Sequence, residues 1–317
     1  MKKTVAVLMA TCNGEKYLKQ QLDSIFSQTY QNFKLYISDD CSEDATIKIV
    51  QTYTDRYPEK ITYTINEKNR GFVKNFEKLL SDCQEEYIAL ADQDDIWQPN
   101  KLELLMNAVL QLEALRQNSA CLIHSDLSLI DQDGNQLHQS YFQFRHYKLK
   151  NSKDLGHILG PCGVMGNTLL LNKKLKKIVL PFPEQLDVHD YWIALHAELF
   201  GQRKTLHTQL VHYRIHNENS SNNAKTLRRN RKNKYFHRDF KLPYLETNRK
   251  YFLKLLLPKI TNQKDSKTLK AFLKYLDFNH PGFLLYYHLI RYSLVKRDII
   301  YRIKLLFKIL LTKRYDA

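Results

Sequence analysis

Glycine and proline are scarce in this 317-residue chain, at nine and eight residues, which excludes collagen-like and low-complexity architectures. Long apolar runs are missing too. No window reaches the roughly 18 uninterrupted apolar residues that a membrane-crossing helix needs. The run after Met1-Lys2-Lys3 stops at Thr11-Cys12-Asn13 after roughly six apolar residues, without a cleavage site, and reads as a buried first strand. The five cysteines, at 12, 41, 83, 121 and 162, show no CxxC spacing. An odd, scattered set argues against a disulfide frame or a zinc site and fits reduced thiols in a cytosolic protein. No GxGxxG follows the first strand, and GxxxxGK[ST] and GxSxG are absent. A dinucleotide oxidoreductase, a P-loop NTPase and a serine hydrolase are therefore unsupported.

What is present suits a folded core: 43% apolar and 12% aromatic residues are too many for a solvated coil. The charge is uneven. Overall there are 49 Lys and Arg against 33 Asp and Glu, a formal +16. Residues 1–224 hold 25 basic and 27 acidic residues, whereas 225–317 hold 24 and 6. Two tasks are implied, chemistry in the near-neutral front and attraction to something anionic behind.

Apolar runs and helical periodicity alternate over the first 125 residues. The pattern predicts strands at Val5–Met9, Phe33–Ile37, Ile61–Ile65, Tyr87–Ala91 and Cys121–His124. Helices are predicted at Glu15–Ser27, Asp44–Tyr57 with Ser42 and Asp44 as caps, Phe72–Ser81, and from Pro99 to about Arg116. Such alternation with β-branched strands predicts a Rossmann-like α/β fold with a mainly parallel sheet covered on both faces. Further on come a turn at Asp131–Gly134, a strand Thr168–Leu171, a helix His189–Phe200 and a strand Leu210–Ile215. After the polar run at 217–224 the pattern is helical and basic to the end. Two domains are expected, 1–224 and 225–317.

Ligands of open parallel sheets bind at the carboxyl ends of the strands. Here those ends carry Thr11-Cys12-Asn13-Gly14-Glu15, Ser38-Asp39-Asp40, Asn69-Arg70-Gly71 and Asp92-Gln93-Asp94-Asp95. Two acidic clusters on one edge repel unless a cation or hydrogen-bond donors compensate them. Three carboxylates in four residues suit a hard cation such as Mg2+ or Mn2+ that also takes phosphate oxygens. Helix-start capping is an alternative reading of both clusters.

The ordered set Thr11-Cys12-Asn13-Gly14-Glu15, Ser38-Asp39-Asp40-x-Ser42-x-Asp44 and Asp92-Gln93-Asp94-Asp95-Ile96-Trp97-x-Pro99 resembles the family 2 inverting glycosyltransferases of the A-type fold. The resemblance covers about residues 3–220, and Asp-Gln-Asp-Asp-x-Trp is similar to the bacterial rhamnosyltransferase branch. It implies that Asp40 meets the pyrimidine base and that Thr11, Asn13, Glu15 and Asn69 line the donor. Asp92 and Asp94 match the DxD pair, with Asp95, Trp97, Gly166, His189 and Trp192 toward the sugar or acceptor. Asp190 matches the catalytic base. His216 matches the histidine that completes metal coordination, and Arg214 the arginine near the diphosphate. Cys12 and Cys41 depart from the family's usual residues, which leaves the base pocket less well defined.

The implied reaction moves a sugar, rhamnose from dTDP-rhamnose first and a UDP-hexose or UDP-N-acetylhexosamine otherwise, to a lipid-linked cell-surface glycan precursor. The glycine-rich loop Gly160–Gly166 either admits the sugar or acceptor closely or simply bends into the next strand. The basic tail, with Leu227–Lys234 and an amphipathic helix over Phe283–Leu311, suits an anionic membrane surface more than nucleic acid, and a packed helical bundle accounts for part of it. The expected location is cytoplasmic, peripheral on the inner face of a bacterial cell membrane. A sugar-nucleotide pyrophosphorylase lacks its Gly-, Arg- and Lys-containing first loop here. A non-enzymatic basic binding protein is the remaining alternative.

Overall fold

The computed structural model describes residues 3–217, 219, 249–276, 282–295 and 298–311. The chain forms two compact units. The first takes Met1–Tyr141, Lys150–Lys153 and Val164–Arg214, and the second Phe142–Leu149, Asp154–Gly163 and Ile215–Ala317. The division therefore does not follow chain order, because the 142–163 excursion belongs mostly to the second unit. The boundary expected near 224 lies outside the described residues, as does Leu227–Lys234.

In the first unit β1 (Val5–Thr11), α1 (Glu15–Phe26), β2 (Phe33–Asp39), α2 (Thr46–Arg56), β3 (Ile61–Ile65), α3 (Phe72–Asp82) and β4 (Tyr87–Ala91) alternate as expected. A two-residue β5 (Ile96–Trp97) precedes α4 (Lys101–Leu115). Then come β6 (Cys121–Ile130), β7 (Gln136–His138), β8 (Leu169–Asn172), α7 (Lys173–Val179), α8 (His189–Phe200) and β9 (Gln202–Arg214). The sheet runs β3-β2-β1-β4-β8-β6-β9-β5, with β7 beside β6. The half from β3 to β4 is parallel. β8 then inserts antiparallel between β4 and β6, so the other half is mixed. This is the expected α/β architecture, with less parallel character in its second half. The core is Val5–Met9, Tyr87–Ala91 and Leu169–Leu171, each strand residue at 3% exposure or less.

Strands β1 and β2 run two residues beyond their expected ends, and β6 and β9 exceed theirs by more, because polar residues along those two are paired in the fold. In β6 the Asp126 carboxylate accepts from Ser140 Oγ at 2.5 Å and Gln209 Nε2 at 2.9 Å, while Ser128 Oγ meets His212 Nδ1 at 2.6 Å. A period-2 hydrophobic pattern does not register such pairs. α2 begins at Thr46, two residues later than expected, and Asp44 Oδ1 accepts from Thr46 N at 2.9 Å.

The second unit contains α5 (Tyr141–Phe144, shared at its first residue), α6 (Leu155–Leu159), α9 (Arg249–Leu256), α10 (Gln263–Leu276), α11 (Gly282–Arg291) and α12 (Ile299–Leu311). The single helix expected over Phe283–Leu311 is two helices. Ser293 takes φ 56°, a left-handed value through which an α-helix does not continue. The bend lies against α6: a Cβ on Gly156 would stand 1.7 Å from Tyr292 O, and one on Gly160 2.1 Å from Leu294 O. Among the described residues no helix is long and apolar enough to cross a membrane.

Candidate functional site

Parallel strands put their carboxyl ends on one edge, and the side chains there bind one another before they bind anything else. Thr11 Oγ1 at the end of β1 donates to Asp39 Oδ2 at 2.7 Å. Asp39 also accepts from Ser42 N at 2.8 Å and Ser42 Oγ at 2.6 Å. Asp40 is buried, and its oxygens accept from Arg70 N and Gly71 N, both at 2.8 Å, and from Asn66 Nδ2 at 3.0 Å. This aspartate orders the loop holding Asn69, whose Nδ2 reaches Asp40 O at 3.4 Å. Asn13 Oδ1 accepts from Glu43 N and Glu15 Oε2 from Ala45 N, both at 2.8 Å, so these two residues join the first loop to the second.

Gln93 holds the site in a way its sequence position does not signal. Its amide makes a reciprocal pair with the backbone of Cys12, with both bonds at 2.9 Å. The arrangement needs Gly14, because a Cβ there would lie 2.4 Å from Gln93 Oε1. Gly14→Ala is expected to expel the Gln93 amide and to lower stability by about 1–3 kcal/mol, as overpacking does. Urea unfolding measures it; a change within error would remove this role.

The DxD segment follows β4. Asp92 keeps part of its surface exposed, yet its carboxyl is pushed up to about 7 by burial first and by the Asp94 and Asp190 carboxylates next. Lys101 opposes this rise. Asp190, in the first turn of α8, therefore stands within electrostatic reach of Asp92. Gly166 N donates to Asp190 Oδ2 at 3.1 Å. The close approach leaves no spare room, since a Cβ on Gly166 would stand 3.1 Å from His189 Nε2.

Asp95 has a different environment. It is fully buried, and its oxygens accept from Asn167 Nδ2 and, at 3.2 Å, from Arg214 N. Burial, then Asp94 and Asp92, hold its carboxyl well above the usual range. Lys101 is buried beside it, donating to Asn167 O at 2.6 Å with its ammonium over the Trp97 ring. Burial keeps that amine well below its ordinary pKa.

Four expected contacts take other roles. Arg214 is 1% exposed, with Nε on Asp94 O at 3.0 Å, NH1 on Gln132 O at 3.1 Å, NH2 on Gln20 Oε1 at 2.6 Å and the guanidinium over the Tyr17 ring. All three of its nitrogens bond to the protein, and the Nε bond staples it to the DxD segment. Trp97 is 2% exposed beneath Lys101, which keeps it from an acceptor. Trp192 is buried and donates Nε1–H to Val179 O at 2.8 Å, which makes it core. His189 is packed among Phe72, Phe76 and Phe182 and is lowered to about 4 by burial, so it is a neutral plate behind Asp190. Gly160, from the glycine-rich loop, admits Leu294 O of the second unit, not a sugar. His216 also belongs to the second unit and donates its N–H to Asn219 Oδ1 at 2.6 Å.

Among the described residues no group of three or more His, Cys, Asp or Glu side chains is gathered to hold a metal ion. Asp92 and Asp94 are nevertheless hard oxygen donors close enough to repel, and a cation completed by water and substrate oxygens fits such a pair. Asp95 does not fit, because it is fully buried and each of its oxygens already accepts a hydrogen bond from the protein.

The sequence profile of glycosyl transferase family 2 matches residues 6–166. An uncharacterized glycosyltransferase of Rickettsia typhi is 28% identical over 221 residues, 69% of this chain and 66% of its own. The dTDP-rhamnosyl transferase RfbG of Shigella flexneri is 40% identical over 100 residues, 30% of this chain and 34% of its own. The chain thus spans less than two thirds of either relative. The crystal structure of S. aureus TarS 1–349 in complex with UDP-GlcNAc superposes with a TM-score of 0.60 at 17% identity, covering 97% of this chain and 89% of that one.

Proposed function

This chain belongs to glycosyl transferase family 2, and from that premise we propose that it moves a sugar from a nucleoside diphosphate donor to an acceptor hydroxyl with inversion. The observation that carries the reading is the approach of Asp190 to the DxD segment, in which Gly166 N–H holds Asp190 while Nδ2 of the adjacent Asn167 holds Asp95. Asp190, held by the Gly166 N–H, takes the proton from the attacking hydroxyl. Attack comes from the face opposite the leaving group, so a single displacement needs no enzyme nucleophile. Asp92 and Asp94 would hold Mg2+ or Mn2+, which when bound supplies Lewis-acid stabilisation of the departing diphosphate. The loops tied by Asp39, Asp40 and Gln93 shape the nucleoside end.

The preferred donor is dTDP-rhamnose, on the Asp-Gln-Asp-Asp-x-Trp motif and the likeness to the Shigella dTDP-rhamnosyl transferase. A UDP-N-acetylhexosamine is the second reading, favoured by the fold shared with a TarS structure that holds UDP-GlcNAc. The acceptor is a lipid-linked glycan precursor, met by the front domain (1–224) while the basic C-terminal region (225–317) keeps the protein at the inner membrane face. A donor panel of dTDP-rhamnose, UDP-glucose, UDP-galactose and UDP-N-acetylglucosamine, with Mg2+ or Mn2+, tests the reading by binding and hydrolysis. One donor should bind in a metal-dependent way, and Asp94→Ala should weaken it about tenfold or more. Equal, metal-independent affinity for every donor would overturn the metal role.

A further inference from the structure

Helices α11 and α12 pack on each other in the second unit and run antiparallel, since Gly282 at the start of α11 lies against Ile309 near the end of α12. They bury Leu285, Leu289, Leu305 and Ile309. A helix on the surface of a soluble domain ordinarily turns polar residues outward. These two do the reverse. On α12, Ile299, Ile300, Ile303, Phe307 and Leu310 are 66%, 61%, 47%, 60% and 54% exposed. At about 100° per residue they share one arc about 100° wide, opposite Leu305 and Ile309, with Arg302 and Lys304 bordering it on either side. On α11 the exposed residues are Phe283, Leu284, Tyr287 and Arg291, the last one turn beyond Tyr287 on the same face, its NH1 donating to the Tyr287 hydroxyl at 2.7 Å.

Residues 282–311 carry six Lys and Arg against a single acidic residue, Asp298. An exposed apolar stripe edged by cations is the arrangement of a helix lying in a bilayer interface. A second copy of the chain would bring two such cationic borders together, whereas anionic headgroups neutralise them. We infer that α11 and α12 are an interfacial anchor, their apolar faces seated at the acyl boundary of an anionic bilayer and Arg291, Arg302 and Lys304 at the phosphate level. The inference deepens the membrane placement in the proposed function and rests on it only for its purpose. The apolar side chains insert, which attraction of a basic tail alone does not require.

The test uses the full chain in flotation with phosphatidylcholine vesicles, with and without phosphatidylglycerol, at low and high salt. Wild-type protein should float with the anionic vesicles and keep a substantial bound fraction at high salt. Ile303→Asp combined with Phe307→Asp should reduce partitioning about tenfold or more, because each change removes a buried apolar side chain from the lipid phase. Both positions are exposed, so the fold is retained, and circular dichroism checks that. Phe307→Trp should emit at shorter wavelength on binding and be quenched by brominated acyl chains. Complete release by salt, an unquenched Trp, or unchanged flotation of the double variant would each overturn the anchor. So would a change in oligomeric mass without a change in flotation, which would assign the face to a second copy. Flotation is read whether or not sugar is transferred, so failure of this inference is distinguishable from failure of the proposed function.

Discussion

Asp190→Asn is expected to bind the nucleotide-sugar donor normally and to transfer its sugar about 10²–10⁴ times more slowly, the range of a lost general base. The substitution keeps size and shape, and an amide oxygen still accepts from Gly166 N, which now stands 3.1 Å from the carboxylate. His189 behind it is unchanged. What disappears is the capacity to take a proton. Donor affinity by calorimetry and transfer by product formation separate the two effects. Transfer near the wild-type rate would reject Asp190 as the base, and loss of donor binding would make it a structural residue.

Arg203→Ala is expected to cost about 3–5 kcal/mol, the penalty for stranding one partner of a buried ion pair. Arg203 is 3% exposed and Glu198 is 0% exposed, and Arg203 Nε donates to Glu198 Oε1. The guanidinium goes on to Thr205 Oγ1, His124 Nε2 at 3.2 Å and the carbonyls of Lys150 and Ser152. It thereby joins α8, β6 and β9 to the Lys150–Lys153 segment of the first unit. Arg203→Lys should recover only part of the loss, because an ammonium lacks the planar fork that reaches several acceptors at once. Chemical denaturation measures both variants. A loss under about 1 kcal/mol for Arg203→Ala would mean that water enters and replaces the guanidinium.

Elements with strong local signals were legible in the sequence. Helix α8 runs His189–Phe200, with the bounds that its apolar pattern and the following Gly201 imply. The four strands β1 to β4 fall where their apolar runs place them. The C-terminal part of β6 and the first part of β9 were not legible, because buried Asp126, Ser128, Arg203 and Thr205 read as loop residues until their partners are known. Arg214 illustrates the same limit within the site. A motif position beside a histidine suggests a phosphate ligand. Only the folded chain brings Gln20, Gln132 and Asp94 around the guanidinium and engages all three of its nitrogens. Gln93 and Lys101 show the same limit, since neither residue type at that position signals a backbone pairing or a buried amine.

The interleaved construction of the second unit sets an order in time. Gly156 on α6 and Gly160 just after it find their backbone neighbours in Tyr292 and Leu294, far later in the chain. A ribosome adding about 5–20 residues per second takes on the order of ten seconds to supply that stretch. For this interval Leu155, Ile158 and Leu159, all buried in the finished protein, wait for later parts of the second unit, among them α10, which packs on α6. The first unit can close around Arg203 and the Lys150–Lys153 segment meanwhile, holding the waiting excursion at a fixed root. Translation speed through the last third of the message therefore governs how long an apolar surface is open to chaperones and to neighbouring chains.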